Sequence, residues 1–201
     1  MVDKKNAPKA DRLEAIGQAM QKQIPDAFLI GEHVYLRPMK AGDENLVARL
    51  ENHPDPREEL FYALPSTALQ QAERLLKLHE DPAAFTLVIC RRENREGIGQ
   101  VSLVRIDWVG RMATYYIGIA DKTHWGRGYG SEATRLMVDY AFDTLNLNRI
   151  QLHVSSENKR AIKVYEKIGF KQEGTLREAM YHKGRYVDFD VMGILRSDWE
   201  K

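Results

Sequence analysis

His124-Trp125-Gly126-Arg127-Gly128-Tyr129-Gly130-Ser131 follows an apolar run over residues 112–120 that reads as a strand, and it leads into a segment with helical periodicity. Three glycines at alternate positions allow a tight turn in the left-handed region and leave backbone N–H groups bare at the positive end of a helix dipole. Such a turn can hold phosphate. A Walker loop requires four residues between its glycines followed by Gly-Lys-Ser/Thr, and no lysine follows Gly130 before the helix. The dinucleotide fingerprint requires Gly-x-Gly-x-x-Gly after the first strand of a βαβ unit, whereas these glycines alternate deep in the second half of the chain. A plain strand-to-helix turn that binds nothing satisfies the glycines equally well, so the flanking sequence decides.

The chain of 201 residues, 43% hydrophobic and 29% charged, is long enough for one main globular domain. Thirty basic and 29 acidic residues leave a net charge of +1, which removes the electrostatic case for nucleic acid or an anionic membrane as partner. The single cysteine, Cys90, lies in the apolar run over residues 85–90 and reads as a buried thiol in a reducing compartment. No apolar stretch follows Lys4 and Lys5, and nowhere do 18 apolar residues run together, so a cytoplasmic location is expected. The six histidines show no metal-ligand spacing, and no metal is expected.

Upstream, Leu13, Ile16, Met20 and Ile24 recur at helical spacing after Asp11, and Pro25 ends the pattern. Residues 1–27 therefore read as an appended amphipathic helix before a domain over residues 28–201. Residues 33–37 alternate like a strand, Asp43 reads as the cap of a helix through Leu46, Val47 and Leu50, and Pro54, Pro56 and Pro65 predict turns. Leu69, Ala72, Leu75, Leu76 and His79 mark a further helix that ends before Pro82. These helices stand where a cover over a substrate could form. Three strands follow over residues 85–90, 99–105 and 112–120; Arg91, Arg92 and Arg95, interleaved with glutamates, read as a solvated hairpin tip without a functional role. Beyond the glycine turn come a helix along Ala133, Met137 and Ala141, a strand over residues 149–155, a helix over residues 159–168 stopped by Gly169, and a hairpin turning at Lys183-Gly184.

Three separated motifs, the glycine loop, the strand end Ser155-Ser156-Glu157-Asn158 and the helix with Val164-Tyr165-Glu166-Lys167-Ile168-Gly169-Phe170, together resemble the GNAT superfamily of acyl-CoA N-acyltransferases. Within it the chain is most similar to the branch of ribosomal-protein N-terminal and spermidine acetyltransferases, over residues 30–199. The resemblance implies an α/β fold with a mixed, mostly antiparallel sheet of about seven strands, flanked by helices and splayed at one strand pair to hold coenzyme A. It places Trp125, where the family has Gln or Arg, at the head of the pyrophosphate loop and implies that the backbone of Gly126, Arg127, Gly128, Tyr129, Gly130 and Ser131 wraps the pyrophosphate. It further implies that backbone near Ile119 and Ala120 pairs with the pantetheine arm, that Asn158 contacts that arm, and that Ala161 lets its helix approach. Read from its own sequence context, Asn158 is equally a helix cap.

The activity implied is transfer of an acetyl group from acetyl-CoA to a primary amine, of a small molecule such as a polyamine or amino sugar or of a protein N-terminus. A homodimer is common among similar proteins. Tyr165 matches the family tyrosine that acts as general acid beside the thioester sulfur; in its own helix it also reads as a core aromatic. An alkylamine with a pKa of about 10.4 is neutral in only roughly one molecule in two thousand at pH 7, so a proton must be removed before attack. Many relatives carry a glutamate for this where the chain has Tyr115, which leaves the base open among Asp107, Glu132, His153, Asp188 or a water chain. Tyr115, Tyr181, Tyr186 and Asp188 resemble positions bordering the acceptor. A non-catalytic acyl-CoA-binding module is the alternative function, and an oxidoreductase of the nicotinamide type rests on the glycines alone.

Overall fold

A computed structural model describes residues 26–199, which form eight strands, five α-helices and two short 3-10 turns. In chain order these are β1 (Leu29–Ile30), β2 (Val34–Pro38), α1 (Glu44–Asn52), α2 (Pro54–Leu60), α3 (Ala68–Glu80), β3 (Phe85–Arg91), β4 (Gly97–Asp107), β5 (Met112–Ile119), α4 (Tyr129–Asp143), β6 (Arg149–Ser155), α5 (Lys159–Ile168), β7 (Lys171–His182) and β8 (Arg185–Leu195). The helix expected over residues 1–27 lies outside the described residues.

All eight strands join one sheet in the order β1-β2-β3-β4-β5-β6-β8-β7, with β5–β6 the parallel pair and every other pairing antiparallel. The strand beyond the seven expected is the two-residue β1, whose shortness leaves no alternation to read. Ile150, Leu152 and Val154 of β6 are buried while Arg149, Gln151 and His153 are more exposed, so a period of two aims one side of the strand at the core. Above that side lie α4 and α5. Ala133, Met137, Val138, Ala141 and Phe142 of α4 and Ile162 and Ile168 of α5 pack there in one cluster with residues of β2 to β6 and β8. Burial of each larger side chain contributes about 1.5–3 kcal/mol. The opposite side of the sheet carries α1 to α3: a Cβ added at Gly118 of β5 would meet Leu50 and Leu60 at 3.1 and 3.0 Å.

Two local expectations change. Pro54 and Pro56 do not break the chain into turns, because Pro54 stands in the first turn of α2, where no backbone N–H is needed, and the His53 side chain caps that turn. Asp43 does not cap α1 through its side chain. Its carboxylate instead takes both guanidinium nitrogens of Arg37, at 2.7 and 2.8 Å, and the N–H of Lys40. Burial pushes the Asp43 pKa up, but Arg37 and the Lys40 N–H outweigh it and hold the group below the usual carboxylate range.

The β3–β4 hairpin tip is also more than a solvated turn. Arg92 donates to the carbonyls of Gly31 and Glu32, both at 2.9 Å, and the Arg91 guanidinium stands 5.8 Å over the Tyr129 ring while pairing with Glu93 and Glu96. These contacts fasten the tip to the β1–β2 turn and to the first turn of α4. Among the described residues no helix is long and apolar enough to cross a membrane.

Candidate active site

β5 and β6 pair only at Met112↔Arg149, Ala113↔Ile150 and Thr114↔Gln151. β5 then runs on to Ile119 and β6 to Ser155 without further pairing between them, so the two strands part and leave a wedge with exposed backbone on both edges. The glycine loop closes the wide end beyond β5, and α5 starts at the wide end beyond β6. A slender ligand with amide groups fits such an opening by adding its own hydrogen bonds to the strand edge.

Backbone at the wide end is partly engaged. Ala120 donates its N–H to Ile98 O at 2.8 Å, away from the wedge, and the Ile119 carbonyl accepts the Trp125 indole N–H at 3.2 Å. By strand alternation the groups turned into the wedge near these two residues are the Ile119 N–H and the N–H and C=O of Ile117. Trp125 accordingly shapes the loop, and its ring lies 4.4 Å beneath the Arg160 guanidinium of α5, bringing the two walls of the opening together.

Gly126 and Gly128 adopt φ of +73° and +87°, and a Cβ at either would meet nothing within 4 Å. The conformation, not crowding, demands glycine there, and the space in front of the backbone is open as a phosphate cradle requires. Gly128 is the N-cap residue of α4 without a side-chain cap, so the first N–H groups of that 15-residue helix face the cradle. Gly130 differs, being helical and 3.5 Å from Ile119 Cδ1 by its added Cβ; it seats α4 on the sheet. Arg127 is exposed, Ser131 half-buried, and Tyr129 buried under Arg91 and 6.4 Å from the His124 ring. The residues of the loop thus fit a pyrophosphate through backbone, with Arg127 and Arg160 as nearby cations.

Asn158 caps α5 by accepting the Ala161 N–H at 3.0 Å, as its sequence context predicts. Its Nδ2 donates to Glu59 of α2 at 2.6 Å, and Arg160 lies 3.9 Å from the same carboxylate. Lys183 from the β7–β8 turn reaches Glu58 at 2.7 Å, and Phe61, just past α2, stacks on His182 and Phe189 at 4.7 and 5.0 Å. α2 is therefore strapped across the mouth of the wedge. Neither Glu59 nor Arg160 was legible as a site residue, since nothing local links positions 99 residues apart.

Tyr165 is half-buried, packs against the core cluster from α5 and stands 5.8 Å from Phe170. Burial alone pushes its pKa up to about 12. Tyr115 faces the same side. It is wholly buried, its hydroxyl 2.8 Å from Thr134 Oγ1, and Thr134 gives its own proton to Gly130 O at 2.7 Å, so Tyr115 is the donor. Burial, with the nearby Tyr165 next, raises its pKa well above the ordinary tyrosine value. Tyr115 thus belongs to the core and not to an acceptor pocket, which corrects that expectation; Tyr116, 43% exposed, is the tyrosine of β5 on the other side.

Tyr181 and Tyr186, 63% and 60% exposed, stack edge to face at 5.2 Å on the outer hairpin. Asp188 Oδ1 accepts the Glu178 N–H at a bulge of β7. Asp107 closes the β4–β5 turn through the N–H groups of Val109 and Gly110, and Glu132 takes the His33 N–H. His153 sits beside the opening, on the side of β6 away from α4 and α5. Among the described residues no group of three or more His, Cys, Asp or Glu side chains could hold a metal.

The model of the acetyltransferase (GNAT) domain matches residues 33–171. Spermidine N(1)-acetyltransferase of Vibrio cholerae is 33% identical over 164 residues, covering 82% of the chain and 94% of that protein. The enzyme of the same name from Escherichia coli K12 is 32% identical over 167 residues, 83% of the chain and 88% of its own length. A crystal structure of the Vibrio cholerae enzyme with CoA and spermine superposes with a TM-score of 0.78 at 32% identity, covering 84% of the chain and 98% of that structure.

Proposed function

Because the chain belongs to the GNAT family of acetyltransferases and is an acetyl-CoA-dependent N-acetyltransferase, we propose that its acceptor is the primary amine of a small aliphatic polyamine. The observation that carries the site is the parting of β5 and β6 after Thr114↔Gln151, with the cradle on one flank and Tyr165 in the helix on the other. The acceptor class is supported by the names of the similar enzymes and by the carboxylates around the mouth, Asp55, Glu58 and Glu59, which now pair with Lys122, Lys183 and Arg160. An aliphatic ammonium can take the place of a lysine ammonium at the same oxygen.

In this reading the amides of residues 126–131 hold the pyrophosphate and the Ile117–Ile119 edge aligns the arm. Bound acetyl-CoA supplies the activated thioester. Tyr165 points its hydroxyl at the sulfur as charge grows there. With its pKa near 12, complete transfer of that proton to a thiolate of ordinary pKa about 8.5 would cost about 5 kcal/mol. The hydroxyl therefore works by hydrogen bonding and by relaying a proton that arrives from the amine. Thiol release measured with spermidine, spermine, amino sugars and N-terminal peptides tests the acceptor. Polyamines are expected to give a kcat/KM about 100-fold above the rest, and a peptide preferred over every polyamine would replace this reading with a protein N-terminus.

The strap across the mouth has its own expected result. Glu59 occupies the Asn158 amide and adds a negative charge where phosphate must pass. Glu59→Ala should tighten CoA binding about three- to tenfold by calorimetry, the scale of a partly exposed charge contact. Weaker binding would show instead that Glu59 holds the wall of the site in place.

A further inference from the structure

We propose that His153 is the general base that takes the proton from the acceptor amine, a role that rests on the acetyl-transfer reading above. Its strand leaves β5 two residues earlier, at Thr114↔Gln151, so continuing that register would set His153 against Tyr116. The strands have parted there instead, and the two side chains flank the opening on the side away from α4 and α5, while Tyr165 lies on the helix side. A thioester threaded between the strands thus has its sulfur toward Tyr165 and an open approach toward His153.

The surroundings suit a base that must cycle its proton. On its own strand side His153 has Gln151 and Ser155; from β8 it meets Val191 directly and Phe189 diagonally, and Phe61 rests on Phe189. Tyr116 faces it from β5, and the nearest acidic element, α2, has Glu58 and Glu59 turned to Lys183 and Asn158. Among the described residues no carboxylate pairs with the ring. It is half-buried and in reach of solvent. Asp107 and Asp188 accept backbone N–H groups at a turn and a bulge, and Glu132 accepts the His33 N–H from the first turn of α4.

The proton balance closes. Neutral His153 accepts one proton from the incoming ammonium and passes it to solvent. The freed nitrogen lone pair bonds to the carbonyl carbon, the C–S bond breaks with its electron pair going to sulfur, and Tyr165 relays the second nitrogen proton to that sulfur. One proton is released per amide formed.

Two measurements test this. In protein labelled with 15N-histidine, the ring signals of His153, assigned by their loss in His153→Gln, should shift on titration with CoA; unmoved signals place the ring away from the thiol and overturn the proposal. With a polyamine as acceptor, the pH profile of kcat/KM should lose its acid limb in His153→Gln, with kcat about 100-fold lower and CoA affinity unchanged. Superimposable profiles overturn the role of His153. If the wild type acetylates no polyamine, the acceptor reading fails by itself, and the CoA titration still decides His153.

Discussion

Gly128→Glu should raise the dissociation constant for CoA about 100-fold or more, the largest loss expected from one change in the loop. At φ +87° a residue with a Cβ costs about 1–2 kcal/mol relative to glycine, so the turn will relax toward another shape. In the proposed site its amides then leave the phosphate oxygens, and each hydrogen bond to a charged group is worth about 1.5–3 kcal/mol. The new carboxylate adds repulsion at a cradle now lined by backbone donors. Loss of two such bonds alone exceeds the 2.7 kcal/mol or so that corresponds to a factor of 100. Calorimetry with CoA, beside thermal melting to confirm an intact fold, makes the measurement; unchanged affinity would mean that the phosphate lies elsewhere.

Tyr165→Phe should lower kcat by about 100- to 1,000-fold and leave the affinity for CoA nearly unchanged. The aromatic ring stays against Phe170 and the core, so packing is retained, while the hydroxyl proposed to donate to the developing thiolate is lost. Removal of a single donor of this kind costs about 2.7–4 kcal/mol in the transition state. The pH dependence carries a second mark. A tyrosine whose pKa burial raises to about 12 stays protonated throughout the working range, so Tyr165 should add no descending limb below about pH 10. A limb lost in the phenylalanine variant near pH 9, or a kcat equal to the wild type, would remove Tyr165 from the reaction.

The sequence was most informative where periodicity was strong and chemistry local. The alternation in β6, the apolar face of α4, the glycines at positive φ and the Asn158 cap are all set within a few residues, and the structure has them. Tyr115 shows the limit. A strand turns a side chain to the other face with every step, so of two adjacent tyrosines Tyr115 is buried in the core and Tyr116 is exposed. Asp43 shows another, because a good capping residue was drawn off by a buried guanidinium six positions away. The strap of Glu59 to Asn158 and of Glu58 to Lys183 depends on contacts 99 and 125 residues apart, and no pattern within a window of sequence contains them.

The chain of hydroxyls from Tyr115 through Thr134 to the Gly130 carbonyl ties the first turn of α4 to the centre of the sheet. The turn on which the proposed phosphate site depends is therefore anchored in the core of the sheet, which lowers the ordering a ligand would have to impose there. If the diphosphate of a CoA thioester sits there as proposed, it is the same for every acyl group, and selection by acyl length would fall to the narrow end of the wedge, where the strands begin to part.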